Sequence, residues 1–174
     1  MPVVNTKATA VTNADAASQT LSNTKIQGAR TYESVGTLEA VIADSIASTY
    51  RLARVKSGER ISRVLLSCDA ITTCAADVGI YDVAAVNGGA VIDADFFASA
   101  VSLAAALVNL DVTHEADPAD AGTGFGLQDV EKPLWQALGL AADPNKWYDV
   151  ALTLTAAAAS AGTVSLKVLT VTGN

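Results

Sequence analysis

Val150–Val168, VALTLTAAAASAGTVSLKV, is the stretch that decides the fold class. Val150, Leu152 and Leu154 alternate with Ala151, Thr153 and Thr155, and Val164, Leu166 and Val168 alternate with Ser165 and Lys167. A period of two places one set of side chains on a single face, so each half reads as a strand with one buried side. The small residues Ala156–Gly162 between them read as the loop of a β-hairpin with one core face.

Similar stretches run upstream. Thr37–Ala43 and Thr49–Lys56 are rich in β-formers, and Ser57-Gly58 separates the second from Arg60–Cys68 as a hairpin turn would. In that third stretch Val64, Leu66 and Cys68 share one face and Arg63 and Ser67 the other, while Leu65 interrupts the alternation and suggests a strand covered on both sides. Asp77–Val83 reads as a further strand, and Asn87-Gly88-Gly89 as a turn whose residues tolerate positive φ. Two short helices are expected. One spans Asp95–Ala106, and the other spans Val130–Leu138, with Pro133 early and Gly139 just past the end. Asp117–Gly126 is a loop by composition. Short strands joined by Gly- and Asn-bearing turns define an all-β chain, a β-sandwich or jelly roll with one or two short helices.

The first 31 residues alternate Thr, Asn, Ala and Ser with no sustained apolar period. Such a segment cannot bury enough surface to offset its own ordering entropy. It is expected to be an extended N-terminal arm over residues 1–31, ordered by contacts between subunits, with a plain disordered tail as the alternative, ahead of a sandwich domain over residues 32–174. Met1–Thr20 has one Lys and no apolar core, so it fits neither a secretory signal nor a transit peptide.

With 174 residues the chain suits one domain with an appendage. The hydrophobic fraction of 51% is largely alanine, since only three Phe, two Trp and four Tyr supply large surfaces. Mean hydropathy is +0.34, yet the longest apolar run, Phe96–Leu110, is shorter than the ~20 residues that span a bilayer. No membrane partner is expected.

A net charge of −7 argues against nucleic acid, whose phosphates demand clustered cations. The cations that do cluster are Arg51, Arg54, Lys56, Arg60 and Arg63, and no Lys or Arg lies between Val64 and Glu131. A basic ribbon on an acidic molecule can dock on an acidic neighbour or on a copy of itself.

Catalytic and metal chemistry find little support. His114 is the only histidine, and no Gly-x-Ser-x-Gly elbow frames a nucleophile. His114-Glu115 opens like a zincin helix, but Ala116, Asp117 and Pro118 follow where the second histidine should stand. Gly122, Gly124 and Gly126 lack the strand and acidic partner of a dinucleotide fold. Glu115, Asp117 and Asp120 could share a calcium ion but depart from the EF-hand pattern, and read as an exposed acidic loop. Cys68 and Cys74 are too few for a disulfide framework and read as reduced, buried thiols. The chain is therefore expected not to be an enzyme, with no catalytic, cofactor-binding or metal residue and no cofactor.

Four segments taken together carry a resemblance: YRLARVKSGERISRVLLSCDA (residues 50–70), DVGIYDV (77–83), DADFFASAVSLA (93–104) and EKPLWQALGLAADPNKWYDVALTLTAAAASAGTVSLKVL (131–169). In order and texture they resemble a family of tailed-bacteriophage virion proteins encoded beside the major capsid protein, over about residues 32–172. The resemblance implies a capsid decoration, or cement, protein. Such a protein has a jelly-roll-like domain on the outer capsid surface, bridges capsomers to stabilise the head, and is often a homotrimer. Its partners would be the major capsid protein and itself, its place the exterior of a virion assembled in the host cytoplasm. Two other readings remain: a tail or head-completion component, and a carbohydrate-binding sandwich displaying Trp135, Trp147 and Tyr148. Those three aromatics sit in apolar surroundings that favour core or subunit-interface packing.

Overall fold

A computed structural model describes residues 6–18, 20, 24–26, 28–85, 87–117, 122 and 124–172. Eight strands follow a short helix: α1 Thr9–Asp15, β1 Arg30–Ala40, β2 Thr49–Lys56, β3 Arg60–Cys68, β4 Ala75–Asp82, β5 Val91–Ser102, β6 Leu107–Asp111, β7 Trp147–Ala156 and β8 Gly162–Thr172. A second helix, α2 Leu134–Ala137, and 3-10 turns at Asn87–Gly89 and Leu127–Asp129 lie in the connections. The strands form two four-stranded antiparallel sheets, ordered β1-β8-β3-β6 and β2-β7-β4-β5. Every consecutive connection except β4 to β5 therefore passes from one sheet to the other, which is the jelly-roll arrangement.

That topology corrects two expectations. The alternating halves of residues 150–168 are β7 and β8, as strands, but they do not pair as a hairpin: β7 lies between β2 and β4, and β8 between β1 and β3. Ser57-Gly58 likewise turns the chain from one sheet to the other rather than closing a hairpin. A hairpin and an arch between sheets share the same alternation and the same small-residue connection. What separates them is which distant strands can bury the inward face, and that is not local information.

The inward faces supply the core: Val78 and Ile80 on β4, Val150, Leu152 and Leu154 on β7, Ile61, Val64 and Leu66 on β3, and Val164, Leu166 and Val168 on β8 are all buried. Each such aliphatic side chain stabilises the fold by roughly 1.5–3 kcal/mol relative to exposure. At one end Phe96, Phe97 and Phe125 pack with ring centroids 5.0–5.8 Å apart. The chain after β6 is hydrogen-bonded along β5, through Ala116 N–H to the Phe97 carbonyl (2.9 Å) and Phe125 N–H to the Phe96 carbonyl (2.7 Å). This covers an edge strand that would otherwise offer unpaired backbone groups. Leu65 faces outward on β3, half-buried between Lys167 and Asp111.

The expected helix at Asp95–Ala106 is instead strand β5 followed by a turn. Register shifts along β4 and β5 place Phe96, Phe97 and Ala98 all out of solvent, so the strand lacks the alternation that would have revealed it. The helix expected over Val130–Leu138 is confined to α2, with Pro133 at its N-cap. The first strand starts at Arg30 rather than Thr37, and α1 appears inside the expected arm with no buried residue.

Two glycines mark where backbones meet. A Cβ on Gly36 of β1 would lie 1.8 Å from the Leu52 carbonyl oxygen on β2, and one on Gly79 of β4 would lie 2.2 Å from the Asp93 carbonyl oxygen on β5. Gly36→Ala and Gly79→Ala are each expected to lower stability by about 1–3 kcal/mol, the usual cost of overpacking. Urea unfolding followed by circular dichroism measures this, and a midpoint equal to wild type would disprove the close approach.

Candidate docking surface

The basic ribbon of the sequence is divided by the fold. Arg51 and Arg54 lie on β2 and point outward from one sheet, Arg63 points outward from the other, and Lys56 and Arg60 flank the turn between them. Most of its charge is engaged within the chain. Arg51 donates to the Asp149 carboxylate (3.1 Å), the Asp82 carbonyl (2.7 Å) and the Gly89 carbonyl (2.5 Å), and its guanidinium lies 5.2 Å from the Tyr81 ring centre. Arg54 donates to the other Asp149 oxygen at 2.7 Å. Arg60 donates to the Lys25 and Val130 carbonyls, both at 3.0 Å. Arg63 is the more exposed partner of Asp111, 3.8 Å away. The ribbon is thus a set of ties across sheets and loops rather than one basic stripe.

The residues considered for chemistry also find structural partners. The His114 ring pairs through Nδ1 with the Phe125 carbonyl at 2.8 Å, which assigns the proton to Nδ1, and stacks on the Phe125 ring at 5.1 Å. Glu115 accepts from Ser99 N–H (2.7 Å), and Asp117, buried rather than exposed, accepts from Gly122 N–H (2.8 Å). Asp120 lies outside the described residues. Among the described residues, no three His, Cys, Asp or Glu side chains gather as a metal site would require. Asp93 sits above the usual carboxylate range because burial and a hydrogen bond with Asp95 both disfavour its charge. Cys68 and Cys74 are free and buried, and burial pushes both thiols up. Tyr148 belongs to the core and Trp135 is half-buried, leaving Trp147 as the exposed member of the three aromatics.

The sequence reading overlooked one end of the sandwich. Four connections meet there: residues 41–48, 69–74, 103–106 and 157–161. They are joined by Ala43 N–H to the Ala158 carbonyl (2.9 Å), Ala158 N–H to the Asp44 carbonyl (3.0 Å), Ile71 N–H to the Leu103 carbonyl (2.9 Å), and Ala159 N–H to the Thr72 carbonyl (3.0 Å). Their surface is alanine-rich, with Ala70, Ala104, Ala105, Ala106, Ala157 and Ala159 all exposed. Above it stand Val41, Ile42 and Ile46, with 55%, 63% and 63% of their surface in solvent. No Lys or Arg occurs in these connections, while Asp44 and Asp69 do, and Glu39, one residue before the end of β1, accepts from the Thr163 hydroxyl beside them.

The aliphatic side chains are held rather than loosely displayed. Asp44 accepts from the Tyr50 hydroxyl (2.5 Å) and from Val41 N–H (2.9 Å), and Ala47 N–H donates to the Leu154 carbonyl (2.8 Å). Ala43 and Ala47 both adopt left-handed φ, 75° and 71°. Left-handed backbone costs an alanine roughly 1–2 kcal/mol, so this loop conformation persists only because its hydrogen bonds over-determine it. The only sequence signal for this surface was the lack of any polar residue at Val41, Ile42 and Ile46 beside a run of alanines.

No family model matches the chain, and no curated protein matches it in sequence. Among solved structures it is similar to a chain in the cyanophage Pam1 capsid asymmetric unit, at 15% identity over 98% of this chain and 99% of that one, with a TM-score of 0.49. It is also similar to a chain in the capsid of Ralstonia phage GP4, at 13% identity over 82% of this chain and 86% of that one, with a TM-score of 0.53. The second likeness shows a shared fold across most of both chains.

Two outcomes follow from these contacts. Arg51→Met should lower stability by about 2 kcal/mol, because it leaves two carbonyls and part of the buried Asp149 carboxylate without their donor. Arg54→Met should cost less than about 1 kcal/mol, since its own side chain is half in solvent. Urea unfolding of both variants checks the order, and equal costs would refute it. The Tyr50 hydroxyl, then Val41 N–H, hold Asp44 below the usual carboxylate range. A carboxyl depressed in the folded state contributes stability that is intact above its unfolded value and lost as pH falls through the folded one. The Val41 amide shift should therefore titrate below pH ~3.9, and Tyr50→Phe should move that midpoint upward. An unmoved midpoint would show that Tyr50 does not hold the loop.

Proposed function

We propose that this chain is a structural virion protein, a decoration protein of a tailed-phage head that acts without catalysis. It binds the outer surface of the shell formed by the major capsid protein, bridges neighbouring capsomers, and does so as a homotrimer. The observation that carries the proposal is the fold shared with a chain in the capsid of Ralstonia phage GP4 over 82% of this chain. The segment order quoted from residues 50–169 supports it independently, because a resemblance in sequence texture and a likeness in three dimensions lead to the same kind of particle. The rigid, apolar and acidic end supports it as well, since a protein whose task is attachment needs a preorganised contact surface.

The physics of such a role is mass action. A protein that binds the assembled shell but not its free subunits stabilises the shell by RT ln(1 + [L]/Kd), about 2.7 kcal/mol per site at a hundredfold excess over Kd. Small domains suit this work because the fold need only present contacts, and assembly at the shell follows from the chain's own folding in the host cytoplasm.

The test uses tailless heads of the encoding virus prepared without this protein. Added wild-type protein should co-sediment with them at saturating stoichiometry, appear as outward density in electron cryo-microscopy, and raise the temperature at which heads release DNA by several degrees. Labelling at a single vertex or along the tail would overturn the decoration reading and favour a head-completion or tail component.

A further inference from the structure

The four connections at the apolar end have no role in holding the two sheets together that needs Val41, Ile42 or Ile46 in solvent. The hydrogen bonds that fix the end run through backbone groups and through Asp44, Thr73 and Asp69, whose carboxylate accepts from Thr163 N–H at 3.1 Å. Polar residues at positions 41, 42 and 46 would leave every one of these bonds intact. We propose that this end is a docking face for a protein surface that is apolar at its centre and ringed by Lys or Arg, and that the surface belongs to the shell protein.

Three properties support that choice of occupant. First, the aliphatic side chains are β-branched and sit on a loop already fixed by its own hydrogen bonds, so little conformational entropy is lost when they are covered. A desolvated apolar centre with a charged rim is how protein interfaces are built. Second, the rim is acidic only: Glu39, Asp44 and Asp69 lie at or beside the face and no cation does. Two copies meeting through this end would set Asp69 and Glu39 of one against those of the other, a like-charge contact that a symmetric pairing cannot avoid. At the other end the cations stand among acids: Lys132 pairs with Asp129 at 2.7 Å and Lys146 with Asp82 at 2.5 Å, Glu59 and Asp143 stand beside Lys25 and Lys56, and Arg60 donates to backbone carbonyls. Third, an acidic face is repelled by the anionic headgroups of a phospholipid surface, so a membrane is disfavoured. A basic protein surface satisfies both the apolar centre and the acidic rim.

The inference rests on the decoration reading for the identity of the partner, and the experiment separates the two. Full-length Ile42→Asp/Ile46→Asp, Glu39→Gln/Asp69→Asn, a Leu127→Ser control on the opposite end, and wild type are each sedimented with the same tailless heads. Their unfolding midpoints are measured in parallel. The aspartate pair should bind at least tenfold more weakly while unfolding like wild type, because both positions are exposed. The amide pair keeps the acceptors for Thr163 but removes the charge; it should bind severalfold more weakly at low salt, with the difference fading near ~1 M salt, where the Debye length is ~3 Å. Leu127→Ser should bind as wild type does. If the aspartate pair binds heads like wild type, the docking face is wrong while the decoration reading stands. If wild type fails to bind heads, both fall. Dissociation of the oligomer by the aspartate pair in sedimentation velocity would make this end a self-interface. Retention of wild type on phosphatidylcholine and phosphatidylserine vesicles would make it a membrane contact. Either result overturns the assignment to a shell protein.

Discussion

The two sheets come together at Gly36. β1 and β2 belong to different sheets, yet their backbones cross so closely that any side chain at position 36 would overlap the Leu52 carbonyl. Ser34 Oγ accepts from the Arg54 N–H at 3.1 Å beside the same crossing, and β2 carries a register shift between Arg51 and Ala53 there. Closure at this corner sets the spacing at which Val150, Leu152 and Leu154 can interdigitate with Val164, Leu166 and Val168. The rest of the sandwich inherits that spacing, because β7 and β8 are the strands to which β2 and β1 pair.

Once the sheets are set, the connections have little freedom. Seven links join eight strands, and all but one must travel from sheet to sheet, so they gather at the two ends of the sandwich. At one end the long link between β6 and β7 carries α2, whose Leu134 and Trp135 N–H groups donate to the Glu59 and Ser57 carbonyls at 2.8 and 3.0 Å. Arg60 and Lys25 tie the segment around Lys25 to the same end. The other end has only short links and no helix. Its alanines are small enough for four loops to share one surface, and its outward residues are free to be apolar because the loops are fixed by backbone bonds. Outside the loops, Arg51 works as an internal clamp, joining β2, β4, β7 and the Asn87–Gly89 turn through one guanidinium.

The sequence discloses strands far better than it discloses their neighbours. β2 and β3 run over the residues expected, because Thr49–Lys56 and Arg60–Cys68 have β-forming side chains and a clear turn between them. The period of two in β7 and β8 is equally plain. Pairing is another matter: Ser57-Gly58 and Ala156–Gly162 look like hairpin loops because a turn between strands has the same chemistry whether its strands pair or part. β5 was hidden by the opposite problem. Phe96-Phe97-Ala98 are buried one after another through register shifts, and alanines at 98, 100 and 104 favour helix in isolation. Tertiary pairing with β4 and the backbone bonds from Ala116 and Phe125 override that preference.

The candidate site was less legible than the fold for a physical reason. Charge stands out in a sequence, and so the cations from Arg51 to Arg63 drew the expectation of a binding stripe, yet a strand reversal between sheets places Arg51 and Arg63 on opposite faces of the molecule. An apolar residue in a loop carries no such flag. Val41, Ile42 and Ile46 look like the tail of a strand, and only the position of Asp44 beneath Tyr50 makes them a fixed, outward display. The two cases invert the usual inference from sequence. Here the charged residues are the ones that hold the fold together, because buried Asp149 and the open carbonyls of the turns require donors. The aliphatic residues at the loop end are the ones left in solvent, because a core of leucine, isoleucine, valine and phenylalanine is already filled without them.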